Sequence, residues 1–244
     1  MTLEEKLWKT FNKALGKYQL IDEGDRILVG LSGGKDSLLL LEFLARRSKV
    51  RVPHFTVEAL HVRMENIHYE TDTSYLQSFC EQLSVPLHIV TTRFADQSQS
   101  ANSAQFKEKP PCFLCSWQRR KQLFNLAQEL GCTKIALGHH QDDIIHTALM
   151  NLTFQGHFAT MPAKLRMRKM PLAIIRPLCL CCEDDIRLYA EAHHYEKQVK
   201  RCPYEHDTNR TTARDLFDHM QKMNPEARYC LWTALESEGK LIEY

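Results

Sequence analysis

Residues Gly30 to Ser37 read Gly-Leu-Ser-Gly-Gly-Lys-Asp-Ser, after the apolar run Ile27-Leu28-Val29 and before Leu38-Leu39-Leu40-Leu41. An apolar run, a glycine turn and a helical apolar stretch make a strand–loop–helix unit. The loop then sits at a helix N-terminus, where backbone N–H groups and the helix dipole attract phosphate. Gly33 and Gly34 let the backbone approach an anion closely. Ser32 and Ser37 add hydroxyls, Lys35 adds a positive charge, and Asp36 can hold a magnesium ion. A Walker A loop needs a glycine five positions before the Gly-Lys pair and a Ser or Thr after it. Val29 and Asp36 occupy those positions, so this is a different phosphate loop.

A second constellation is built of sulfur. Cys112-Phe-Leu-Cys115 is a C-x-x-C pair set between Pro110-Pro111 and a predicted helix. Such a pair serves as a redox couple, half a zinc site or part of an iron–sulfur site. It does not open the first βα unit, which disfavours the thioredoxin-like reading. Downstream, Cys202 in Arg201-Cys202-Pro203-Tyr204 offers one further thiol without a close partner. Two thiols plus one suit a cubane with three thiolate ligands and one open iron, which could bind sulfide or another small sulfur donor. Cys179, Cys181 and Cys182 could complete a zinc site instead, but they read as small apolar residues near a strand end. Cys80, Cys132 and Cys230 read as core.

The elements that must position these groups follow from periodicity. Leu3, Leu7, Phe11, Leu15 and Tyr18 recur at helical spacing, with Lys6, Lys9, Lys13 and Lys17 on the opposite face. Strands are expected from about Arg26, over Thr56 to Val62, Pro86 to Thr91, Lys134 to Gly138 and Ala173 to Arg176. Helices are expected over Thr71 to Leu83, Ser116 to Leu130, Gln141 to Leu152, Glu183 to His194 and Thr211 to Met223, with a last one opened by Pro225. Gln97 to Pro111 reads as a mobile loop, and Gln155 to Met170 as a loop or hairpin rich in Lys164, Arg166, Arg168 and Lys169. Alternating strands and helices predict an α/β fold with a five-stranded, mainly parallel, doubly wound sheet. Ligands in such sheets lie beyond the carboxyl ends of the strands, where the phosphate loop and the end of the fourth strand should meet. The expected organisation is an N-terminal helix (1–22), a nucleotide domain (23–200) and a C-terminal helical segment (201–244).

The 244 residues carry a net charge of only +2, so bulk charge does not announce a nucleic-acid binder. No run of 18 apolar residues is present, and the polar, acidic start is unlike a signal peptide. A cytoplasmic protein is expected, and its nine cysteines point to reduced thiols, metal or catalysis rather than disulfides.

The Ser-Gly-Gly-Lys-Asp-Ser string resembles the PP-loop of the N-type ATP pyrophosphatases. Four motifs in order extend the likeness: this loop, Pro-Cys-Phe-Leu-Cys, Leu137-Gly-His-His-Gln-Asp-Asp143 with Thr147, and Ile175-Arg-Pro-Leu178. Together they resemble the tRNA 2-thiolation group, specifically the bacterial tRNA 2-thiocytidine synthetase family, from about Ile27 to Arg214. The resemblance implies an adenine nucleotide alpha hydrolase-like sheet. It also implies an enzyme that adenylates the 2-oxygen of an anticodon-loop cytidine and replaces it with sulfur, using ATP, magnesium and a 4Fe–4S cluster. The family's cluster ligands map onto Cys112, Cys115 and Cys202, and its Gly-His-His-x-Asp-Asp segment onto Gly138 to Asp143. That segment brings Gly138, His139 and Asp142 to the nucleotide. Asp143 joins Asp36 as a catalytic carboxylate, with Arg119 steering phosphate and His61 at the adenine. The implied partners are tRNA and a sulfur donor, either sulfide or a persulfide carrier such as a cysteine desulfurase. A homodimer fits the same resemblance. The lysine stripe of the first helix and the Lys164 to Lys169 cluster are candidate tRNA contacts. One departure is the single cysteine followed by Pro-Tyr, where the thiocytidine enzymes usually carry a second C-x-x-C. That context resembles the relatives that thiolate a thymidine-loop uridine. Rival readings are a lysidine-synthetase-like ligase, which needs no cluster, a zinc-stapled nucleotide or RNA-binding module, and a PP-loop enzyme acting on a free small molecule.

Overall fold

The computed structural model describes residues 1–65, 73–93, 111–196 and 209–243, with the backbone alone at Pro111 and Cys112. Cys202 and nearly all of the Gln97 to Pro111 stretch lie outside the described residues.

Six β1 residues (Asp25–Gly30) form an inner strand of the sheet. They pair in parallel with β2 (Phe55–Met64) on one side and β4 (Lys134–Ala136) on the other. β3 (Leu87–Thr92) extends the sheet beyond β2, and β6 (Ala173–Ile175) extends it beyond β4. Two additional strands follow. β5 (Lys164–Arg166) pairs antiparallel with β6, and β7 (Ile242–Glu243) pairs with β5. The sheet therefore has seven strands in the order β3-β2-β1-β4-β6-β5-β7, correcting the expected five. The two extra strands have three and two residues, too few to show a period of two.

Helix α1 (Leu3–Lys17) opens on a reciprocal cap: Thr2 and Glu5 exchange hydrogen bonds of 2.8 and 3.2 Å. Leu7, Phe11 and Ala14 bury its apolar face beside α2 (Lys35–Ser48). α5 (Gln141–Gln155), α6 (Glu183–Ala192), α7 (Asn209–Met223) and α8 (Ala227–Ser237) add residues to the same core, as does α3 (Ser74–Leu83). The other face of β1 carries Leu28, which packs with Leu60, Ile135 and Ala127 of α4 (Pro111–Glu129) in a smaller core. Both faces are thus covered, unequally. α4 starts at Pro111, earlier than the sequence suggested, because proline at a first helical position loses no hydrogen bond. The C-x-x-C pair consequently lies inside the first helical turns rather than ahead of the helix.

The chain leaves β1 toward β2 and β3, then returns to the opposite side of β1 through α4 and β4. The direction of winding reverses between the carboxyl ends of β1 and β4, the position where open α/β sheets bind ligands. Among the described residues no helix is long and apolar enough to cross a membrane.

Candidate active site

The loop after β1 is held by its own hydroxyls. Leu31 N donates to Leu60 O at 2.9 Å, tying the loop to β2. Gly34 N donates to Ser32 Oγ at 3.3 Å, Ser37 Oγ donates to Gly34 O at 2.9 Å, and the two serine oxygens lie 3.1 Å apart. Since Ser37 donates to the carbonyl, Ser32 supplies the proton between the hydroxyls. Gly33 adopts a φ of +81°, which only glycine takes without strain. Gly34 caps α2 with no side-chain hydrogen bond, and Ser37 N turns back to Gly34 O at 3.0 Å, which leaves the Lys35 and Asp36 amides without an intrahelical partner. This is a built anion cradle.

The turn after β4 presses against that cradle. A Cβ on Gly138 would lie 3.0–3.1 Å from the backbone of Asp36 and Ser37, so any larger residue would have to push the two segments apart. His139 and His140 follow. Arg176 Nε donates to His139 Nδ1 at 3.3 Å, which places the imidazole proton on Nε2. Burial, then the Arg176 charge, pull the His139 pKa down to about 4. His140 behaves oppositely. Burial disfavours its charged form, but Asp142, Asp143 and Asp36 outweigh that and raise its pKa. Its Nε2 lies 3.5 Å from Asp143 and 3.9 Å from Asp36, and its Nδ1 lies 3.6 Å from Asp142.

The three carboxylates have different partners. Asp143 accepts the His140 backbone N–H at 3.2 Å, so part of its role is capping α5. Asp142 is raised by burial, yet the His140 imidazole 3.6 Å away and the hydrogen bond from Arg228 hold it far below the usual carboxylate range. Arg228 reaches it at 2.6 Å and the Glu183 backbone N–H at 2.8 Å. Asp36 is the one with room for a cation. Burial pushes its pKa up despite Lys35 and His140, and its buried Oδ1 accepts no hydrogen bond among the described residues, although Lys35 Nζ stands 3.2 Å away. A half-buried carboxylate whose inner oxygen accepts no hydrogen bond, beside a phosphate cradle, fits a magnesium ligand.

Lys35 also reaches Glu183 Oε1 at 3.2 Å, and Arg214 reaches Glu183 Oε2 at 3.3 Å. Glu183, Arg176, Arg228 and Arg214 went unassigned in the sequence, although Arg176 stands inside the quoted Ile-Arg-Pro-Leu motif. The other three had no local signal, because their partners lie dozens of residues away.

His61 is buried, and its Nδ1 bonds Leu31 O at 2.8 Å, so its side chain braces the loop from beneath. On α4, Gln118 donates to Thr92 Oγ1 at 2.8 Å. Thr92 ends β3, so Cys115, one turn earlier in α4, lies at the carboxyl edge of the sheet that also carries the phosphate loop. Its neighbours are the residues of the smaller core, and Arg119 sits half-buried one turn further on. Cys112 and Cys115 stand one helical turn apart along the α4 backbone, a spacing suited to two ligands of an iron–sulfur cluster. Cys179 and Cys181 are fully buried and, among the described residues, no three potential ligands gather for a metal. Cys80 and Cys132 are buried as expected, whereas Cys230 is exposed.

The basic cluster of Lys164 to Lys169 is placed elsewhere. Lys134 and Asp25 open β4 and β1, and Lys134 Nζ bonds Asp22 at 2.6 Å at that amino edge. Buried Lys164 joins them, donating to the Gln19 carbonyl. The cluster thus borders the edge opposite the phosphate loop, and Lys164 is occupied structurally. Of the α1 stripe, Lys6 and Lys17 are paired with Asp185 and Glu236.

A reversing parallel sheet with a glycine phosphate cradle at its switch point defines an α/β nucleotide-binding protein. Residues 2–220 match the PP-loop domain family. The tRNA-cytidine(32) 2-sulfurtransferase of Pseudomonas putida (strain W619) is 31% identical over 236 residues, covering 96% of this chain and 84% of the relative. The enzyme of that name from Shewanella denitrificans is 34% identical over 241 residues, covering 96% and 72%. The chain therefore belongs to the PP-loop domain family and, within it, to the group of the tRNA-cytidine(32) 2-sulfurtransferases. Among solved structures, the U34-tRNA thiolase NcsA from Methanococcus maripaludis, with its 4Fe–4S cluster, superposes with a TM-score of 0.76 at 27% identity, covering 96% of this chain and 78% of that one. The NH3-dependent NAD synthetase from Campylobacter jejuni shares the fold at a TM-score of 0.53 and 14% identity.

Proposed function

We propose that this protein is an ATP-dependent, iron–sulfur-dependent tRNA sulfurtransferase that converts a cytidine of the anticodon loop, position 32 by its relatives' names, to 2-thiocytidine. The observation that carries this reading is the Gly138–Asp36 contact: it sets a carboxylate with one buried oxygen that accepts no hydrogen bond among the described residues beside an anion cradle, at the same sheet edge as the C-x-x-C helix.

The reaction needs a good leaving group at C2 of the base. The cytosine 2-oxygen attacks the α-phosphorus of ATP, the bond to the β-phosphate oxygen breaks, and pyrophosphate departs. Sulfur then replaces the activated oxygen, which leaves as AMP. The α2 amides and Lys35 hold the departing phosphates and balance their charge. Asp36 would hold magnesium, with Asp143 second, and the His140 imidazole, whose charged form the three neighbouring carboxylates favour, lies within 4 Å of both. His139, neutral and with its proton on Nε2, is a hydrogen-bond donor at the switch point. A 4Fe–4S cluster held by Cys112, Cys115 and Cys202 would supply the iron site at which sulfur is carried. Sulfide or a persulfide carrier such as a cysteine desulfurase is the donor, and a homodimer in the cytoplasm completes the reading.

The test is anaerobic reconstitution with ATP, magnesium, sulfide and tRNA, followed by nucleoside mass spectrometry. The expected result is 2-thiocytidine and AMP with wild type. Cys115→Ala should still bind ATP but lose iron and thiolation together. A thiolated uridine would move the target base, as the solved thiolase neighbour would suggest. Lysine attached in place of sulfur would overturn the reading.

A further inference from the structure

Beside the phosphate loop, a cleft of about 200 Å³ opens between α5 and α7. Asp143, His146 and Thr147 line it from one face of α5, and Arg210, Thr211 and Arg214 line it from the start of α7. The reaction outlined above uses only Asp143 of these six. The Asp143 carboxylate is engaged by His140, since it accepts the His140 N–H and lies 3.5 Å from His140 Nε2. What remains is two guanidiniums, two hydroxyls and an imidazole. Burial lowers the pKa of that imidazole, so it is neutral at pH 7. Planar guanidinium forks with hydroxyl donors match a phosphate.

The volume decides how much of a ligand enters. Small-molecule sites occupy roughly 300 Å³ or more, so a nucleoside does not fit and a single phosphate with a few waters does. The position decides its source. Asp143 lines the cleft and Asp36 belongs to the phosphate loop, with His140 Nε2 3.5 and 3.9 Å from them, so a polyphosphate reaching from the turn into the cleft would meet the Asp143 carboxylate. A phosphate carried by a second substrate meets no such barrier.

We propose that the α5–α7 cleft seats one backbone phosphate of the RNA, next to the nucleotide whose base enters the active site, with Arg210 and Arg214 as its cationic contacts. The inference rests on the reading of this protein as a tRNA-modifying enzyme. It also gives Glu183 a role, since its carboxylate joins Arg214 in the cleft to Lys35 in the loop.

The experiment measures tRNA affinity by filter binding across a salt series, and ATP affinity by calorimetry, on the full-length holoprotein. Arg210→Ala and Arg214→Ala should each weaken tRNA binding about 5- to 30-fold and flatten the log–log salt slope by about 0.7, the value for one single-strand phosphate. ATP affinity should not change in Arg210→Ala, since it is Arg214 that Glu183 ties to Lys35. Arg210→Lys keeps the charge, should retain the wild-type slope, and reports on folding. Unchanged tRNA affinity and slope in both alanine variants, with wild type binding and thiolating tRNA, would overturn the cleft and leave the functional reading intact. Loss of ATP affinity with tRNA binding unchanged would give the cleft to the triphosphate and overturn the RNA assignment. A wild-type protein that binds no tRNA would remove both.

Discussion

A side chain on Gly138 has no room because Asp36 is already there: its Cβ would stand 3.0 Å from the Asp36 carbonyl carbon and 3.1 Å from the oxygen. The neighbour is helical backbone in the first turn of α2, which cannot swing aside as a side-chain tip could. The turn after β4 therefore fixes how far α2 and its cradle sit from His139 and His140.

Gly138→Ala should force these two segments apart by a few tenths of an ångström. Overpacking of this kind costs about 1–3 kcal/mol. The functional loss should exceed what the stability loss explains, because the displaced atoms are those that meet the phosphates. ATP affinity by calorimetry should fall at least about tenfold, with pyrophosphate release falling in parallel. An alanine variant that binds ATP normally would show that some other contact sets the cradle.

Asp36→Asn separates the metal role from folding. Burial makes the ionised carboxylate unfavourable, and its pKa lies above the ordinary value in the folded state. The charged form therefore opposes folding at pH 7, and removing the charge should leave the melting temperature unchanged or higher. Activity should fall at least about 100-fold, and the magnesium concentration for half-maximal activity should rise, read by pyrophosphate release in a magnesium titration. A less stable variant with an unchanged magnesium requirement would contradict the assignment.

The sequence was most legible where chemistry and geometry coincide locally. Ser32 to Ser37 needed only an apolar run before it and a helix after it, and both formed. The central parallel strands carried enough β-branched residues to be placed within a residue or two, as at Leu87–Thr92. The short strands at Lys164–Arg166 and Ile242–Glu243 were hidden because they exist only by pairing with each other and with β6. The supporting shell was hidden for a related reason. Arg228 meets Asp142 across 86 positions and Glu183 meets Lys35 across 148, so nothing local marks these partners. Lys164 shows the converse: a basic cluster in the sequence is dispersed once one lysine is buried against Asp22 and the Gln19 carbonyl.

The two adjacent histidines should leave opposite marks on the pH dependence of stability. His139 has an ordinary pKa of 6.5 when unfolded and about 4 when folded, so from pH 6.5 downward the unfolded chain gains a proton that the folded chain refuses. Stability must fall as the pH drops through that window, by roughly 3 kcal/mol at most from this residue, at 1.36 kcal/mol per pH unit. His140 has a raised folded pKa, so its contribution is fully present at low pH and is lost only as pH rises through that folded value. Acid sensitivity between pH 6.5 and 4 thus belongs to His139 rather than to its neighbour. His139→Asn offers a side-chain oxygen to Arg176 in place of Nδ1 and cannot take up a proton. Urea unfolding at pH 7 and pH 4.5 should show wild type losing about 2–3 kcal/mol more than this variant. Equal losses in the two proteins would mean that His139 is protonated in the folded state at mildly acidic pH, and that the Arg176 hydrogen bond to its Nδ1 does not hold in solution.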